Sequence, residues 1–242
     1  MKTSCQVVLY TVLLIAASSG ASAAQGGDPL RARDGHDPFV TMDQARDIMP
    51  RGSFFGQNEI EHIFRVRFTA SEKEQFYRLP FRESTLRRCN GCVLFLVTHR
   101  FGRNDRPTDI DSLLKSFEFG QQFNESRIAP WFKDEAFAKR SVGLGWHLVR
   151  INLDGKGRKL ADQEYRLSAK ERLAPADLYV YLLLLSPRHL AEEYTFTSDK
   201  AHREKSTVIV GRRGGRINIE GLAARFIVRP NLGMAVEVVP DR

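Results

Sequence analysis

Residues 178–185 read Leu-Tyr-Val-Tyr-Leu-Leu-Leu-Leu, apolar on every side of any regular backbone. A membrane-spanning helix needs about 20 such residues, so this run is too short to cross a bilayer. It must be covered by protein all round, which predicts a central buried helix that starts after Pro175 and stops at Pro187. A chain of 242 residues can supply the surrounding core, as one large domain or two small ones. With 42% hydrophobic and 27% charged residues, the chain is neither a disordered acidic polymer, nor collagen-like, nor a polytopic membrane protein.

The first 23 residues have a different character. Lys2 provides a positive start, residues 7–17 are apolar apart from Thr11, and Ala21-Ser22-Ala23 has the small-x-small form of a cleavage site. Together they predict a secretory signal peptide over 1–23, and hence a periplasmic or secreted protein with no transmembrane helix in its mature chain. Residues 24–40 are rich in Gly, Pro, Asp and Arg and read as a flexible lead-in, where a lone His36 has no partners to build a metal site. Residues 41–242 then form one domain, with a candidate sub-boundary near 141–145.

Within that domain the helical signals come first. Thr41-x-x-Gln44 and Thr69-x-x-Glu72 are capping boxes, and Asn58 is placed to cap a helix between them. Further helices are expected over 81–88, 108–119, 130–139 and 161–173, interrupted by a buried strand at 93–97 (Val-Leu-Phe-Leu-Val). Strand patterns dominate later, at 146–153, 194–197, 207–210, 216–219, 225–228 and 235–239. The expected class is α+β, a helical N-terminal half packed with a largely antiparallel C-terminal sheet.

Chemistry-bearing motifs are few. Removing the leader takes Cys5 with it and leaves Cys89 and Cys92 in a Cys-Asn-Gly-Cys turn, an even count in a disulfide-permissive compartment. A disulfide is the first reading. A redox dithiol is the second, disfavoured because the expected helix would aim its C-terminus at the pair. A zinc site needs two more ligands at suitable spacing, and no second CxxC or HxxxH is present, so no metal and no cofactor are expected. The chain also has no G-x-S-x-G, H-E-x-x-H or Walker loop. His147 alternates with Trp146 and Leu148 on its strand and, paired with a carboxylate, is the acid/base candidate for a hydrolase. Glu61-His62, His189 and Glu192-Glu193 read as surface or helix-end charges.

Charge is unevenly placed. The chain carries 37 Lys and Arg against 29 Asp and Glu, a net charge of +8, and residues 200–242 hold nine of the cations against four acids. Arg212-Arg213-Gly214-Gly215-Arg216 reads as a basic hairpin whose arginines match phosphate, sulfate or carboxylate groups. The competing reading is a soluble turn that blocks edge-to-edge pairing of strands. Export, and the lack of aromatic residues between the basic ones, argue against nucleic acid.

Four stretches, 68–88, 135–150, 175–185 and 208–219, resemble a group of bacterial proteins of unassigned activity. The resemblance implies a folded domain running through both halves and brings no activity, cofactor or site residue. The sequence departs from that group at Arg212–Arg216 and at the Cys89–Cys92 turn. The functional expectation is therefore an exported, non-enzymatic binding protein of the bacterial envelope or extracellular space, its partner an anionic envelope polymer or another protein. Arg212, Arg213 and Arg216 are the expected contacts. A secreted hydrolase using His147 and a thiol-disulfide protein using Cys89 and Cys92 are the alternatives.

Overall fold

The computed structural model describes residues 37–154, 156–186, 193–202, 205–223 and 229–241. The leader, most of the lead-in with His36, His189, Glu192 and the strand expected at 225–228 lie outside them. In chain order the elements begin β1 (Phe39–Thr41), α1 (Met42–Ile48), β2 (Phe54–Phe55), α2 (Gln57–Phe64), α3 (Ala70–Gln75), β3 (Arg78–Arg82), α4 (Glu83–Arg88), β4 (Cys92–Val97), β5 (Arg100–Phe101) and β6 (Arg106–Pro107). They continue with α5 (Ile110–Lys115), α6 (Ala136–Lys139), β7 (Gly145–Asp154), α7 (Leu160–Glu164), β8 (Glu171–Leu173), α8 (Ala176–Leu185), β9 (Tyr194–Ala201), β10 (Ser206–Arg213), β11 (Arg216–Leu222) and β12 (Leu232–Val238).

The chain is a mixed α/β protein with eight α-helices and one large sheet among the described residues. The sheet order is β11-β10-β9-β12-β7-β4-β2. β9 with β12 and β4 with β2 run parallel, and the other neighbours are antiparallel. β12 lends one edge to two partners, β9 over Leu232–Met234 and β8 over Val236–Val238. β7 pairs with β4 on one side and β12 on the other, so the sheet contains strands from before and after residues 141–145.

The helical N-terminal half does not form. Its helices are at most eight residues long and alternate with β1 to β6. At 78–82 the alternation of Leu79 and Phe81 inward overrides the helical expectation, and the segment pairs with β1 across Phe39↔Arg82. Phe39 and Val40 thereby belong to the folded unit, with Asp37 accepting from the Ser84 amide (3.0 Å). The long helices expected at 108–119 and 161–173 are cut short. Ser116 closes α5 by donating to the Leu113 carbonyl (2.8 Å), and residues 171–173 join the sheet as β8. Both capping boxes form, at Thr41/Gln44 and Thr69/Glu72. Between them Gly56, not Asn58, caps α2, its amide donating to Glu59 (2.9 Å).

The run at 178–185 is the middle of α8, and every residue of that helix is buried. Tyr181 stacks on Phe64 of α2 at 4.3 Å and faces Phe95 of β4 at 6.1 Å. Burying each leucine of such a helix stabilises the fold by roughly 1.5–3 kcal/mol. Arginines hold both helix ends. Arg140 grips Asp177 and Asp199 with four hydrogen bonds of 2.6–2.9 Å, and Asp199 also accepts the Ala176 amide (2.7 Å). At the other end Arg212 donates to the Leu183 carbonyl (2.6 Å). On the opposite face of β4 and β7, Trp146 packs against Phe54 and donates to the Phe76 carbonyl (2.9 Å). A smaller core of Leu160, Leu173, Phe196, Ile209 and Met234 lies under α7 and β8.

Candidate binding site

The strongest site among the described residues is built where α2 ends. Arg65 follows Phe64 in a left-handed conformation (φ 53°), so the chain turns sharply and leaves the Phe64 carbonyl open. Gly102 fills that vacancy, donating to Phe64 O at 2.8 Å, which ties the β5–β6 hairpin to the end of α2. Phe101 anchors the hairpin by packing edge-on against Phe119 at 5.5 Å, which meets Phe64 at 5.2 Å. Gly102 and Asp105 both take positive φ, so the turn projects Arg103, Asn104 and Arg106.

These residues, with Arg65, Phe101 and Glu118, enclose a cavity of about 560 Å³. Its distinguishing property is unbalanced charge. Arg100, in the same hairpin, is bonded to Glu72 (3.1 Å), but among the described residues Arg65, Arg103 and Arg106 make no ion pair. These three exposed guanidinium groups face only one carboxylate in the wall, Glu118, so the hollow keeps a positive excess that a bound anion would offset. Their planar forks suit bidentate contacts to phosphate, sulfate or carboxylate oxygens.

The hairpin expected to carry anion contacts is arranged differently. Gly214 and Gly215 (φ 58° and 75°) form a tight turn between β10 and β11 and place Arg213 opposite Arg216, both exposed. Arg212 is only 5% exposed. It donates to Gly215 O and Leu183 O, each at 2.6 Å, and burial pushes its pKa below the usual value. It is therefore withdrawn from the exposed basic set.

His147 meets the carboxylate anticipated for it. Its Nδ1 lies 2.8 Å from Glu237 Oε1, and Arg172 donates to Glu237 Oε2 at 2.7 Å. Burial alone would raise the Glu237 carboxyl, yet the hydrogen bonds from His147 and Arg172 outweigh it and hold the pKa below the usual glutamate value. The other ring nitrogen of His147 is 3.1 Å from Gly143 O, and neither the arginine cavity nor the two other sizeable hollows is lined by it. Both nitrogens are thus engaged within the protein. Glu61 accepts from the Phe68 amide (2.8 Å) and pairs with Lys73, His62 is exposed, and Glu193 pairs with Lys156. Cys89 and Cys92 are joined as a disulfide, with Cα atoms 5.6 Å apart, between the C-terminus of α4 and β4.

No protein-family model, curated protein or solved structure matches this chain. The functional reading therefore rests on the arginine cavity itself. Its residues escape sequence inspection because Arg65 and the 103–106 turn are brought together by tertiary contacts, the Phe64–Gly102 hydrogen bond and the Phe64–Phe119–Phe101 ring packing. The available signal was the turn Gly102-Arg103-Asn104-Asp105-Arg106, two arginines set among turn-forming residues.

Proposed function

We propose that this is an exported binding protein that takes an anionic ligand in the cavity of Arg65, Arg103 and Arg106. The observation that carries the reading is the convergence on one hollow, against a single acid, Glu118, of three arginines that make no ion pair among the described residues. Export rests on the leader pattern of residues 1–23. The ligand class is a small molecule or polymer end bearing phosphate, sulfate or carboxylate groups. Asn104 in the wall adds a neutral amide beside the charge. Arg213 and Arg216 make a second, weaker basic surface on the far hairpin.

Calorimetric titration with inorganic phosphate and inorganic pyrophosphate tests the assignment. Saturable binding that weakens with added salt and is lost in a triple Arg65/Arg103/Arg106→Ala variant is expected. The Arg213→Ala/Arg216→Ala variant should retain it. Equal affinity in the wild type and the triple variant would refute the site. Amino-terminal sequencing of material recovered outside the cytoplasm should begin at Ala24.

A further inference from the structure

A second hollow, of about 450 Å³, lies at the sheet edge formed by β11, far along the chain from the arginine cavity. Three separate stretches build it. Residues 123–131 run beside β11, with Phe123 bridging to Ile217 and the Asn124 amide donating to Ile217 O (2.8 Å). Trp131 ends that run and fixes its indole by donating Nε1–H to Ile219 O at 2.8 Å. His202, at the end of β9, brings its ring to 5.1 Å from that indole.

The two rings are held in place at a cost. His202 sits in the left-handed region (φ 50°), stabilised by its amide donating to Glu135 (3.0 Å). Gly221 of β11 keeps the space beneath them, since a Cβ there would lie 3.2 Å from His202 Nε2 and 3.4 Å from Trp131. Trp131 keeps 37% of its surface exposed and the His202 side chain 53%, much for rings packed on a sheet edge. The remaining wall is polar and planar. Asn218 donates to both Tyr194 Oη (2.9 Å) and Glu220 (2.7 Å), Arg229 donates to Glu220 (3.0 Å), and Asn124 is exposed.

From this geometry we infer that the Trp131–His202 hollow binds a sugar ring of a neutral oligosaccharide. Aromatic faces receive the C–H face of a pyranose, and planar amide and carboxylate groups receive pairs of neighbouring hydroxyls. The charge balance favours a neutral ligand over a cation. Glu220 is neutralised by Arg229, and burial pushes the Glu125 carboxyl up toward its uncharged form.

Emission of Trp131 is the readout, since Trp146, the second tryptophan, is buried on the other face of the sheet. Titration of the full chain with chitotriose, cellotriose and maltotriose should give a saturable change with at least one, at a Kd of about 1 mM or tighter. His202→Ala and Gly221→Val should each weaken it about tenfold, and phosphate binding should not change. Three outcomes would overturn the inference: no saturable change with any trisaccharide, saturation by choline alone, or unchanged affinity in both variants.

Discussion

Arg212 Nη2 lies 2.6 Å from the Leu183 carbonyl oxygen, inside the last turn of α8. The contact makes a residue of the basic hairpin part of the hydrophobic centre. The last carbonyls of a helix have no partners within it, and the negative end of the helix dipole favours a cation there. Arg140 serves the opposite end through two buried carboxylates, so α8 is clamped by arginines that are far apart in the sequence.

Arg212→Ala should therefore cost about 1–3 kcal/mol, the penalty for stranding a buried carbonyl. Arg213→Ala and Arg216→Ala, at the exposed tip, should stay within about 0.5 kcal/mol of the wild type. Urea unfolding of the three variants distinguishes these values. Equal midpoints would show that the Leu183 contact contributes nothing.

Removing Arg140 should be more damaging, because Asp177 and Asp199 would remain buried with their charges unopposed. The expected loss is at the lower end of about 3–5 kcal/mol, since the guanidinium itself is partly exposed. Asp177→Asn/Asp199→Asn in the Arg140→Ala background should recover part of that loss. A double-mutant cycle with no recovery would contradict the charge argument.

Glu237 should set part of the acid sensitivity. Its folded-state pKa lies below its ordinary value of 4.5. The stability it lends is complete above 4.5 and is lost as pH falls through the folded-state value. Glu237→Gln should thus be less stable than the wild type near neutrality and lose less on acidification. Parallel stability–pH curves for the two proteins would rule this out.

The clearest elements in the sequence were those decided by local chemistry. An all-apolar run could only be buried, and Thr41/Gln44 and Thr69/Glu72 cap helices with atoms three residues apart. Elements decided by distant partners were hidden. Residues 78–82 become a strand because β1 lies alongside, and 171–173 because β12 has a free stretch of edge beyond β9. The sites follow the same division. The disulfide turn is local and was legible, whereas burial of Arg212 depends on Leu183, 29 positions earlier. The 103–106 turn carried a local signal that went unread, and its convergence with Arg65 had none.

The position of β12 bears on how the molecule is made. It is the last described strand, yet it lies between β7 and β9 near the middle of the sheet. Until residues 232–238 are present, β7 and β9 both offer open hydrogen-bonding edges flanked by apolar side chains. A prematurely terminated chain would therefore have two mutually complementary edges and no strand of its own to close them. Such fragments should associate with one another, or capture the β12 of an intact molecule, instead of accumulating as soluble monomers.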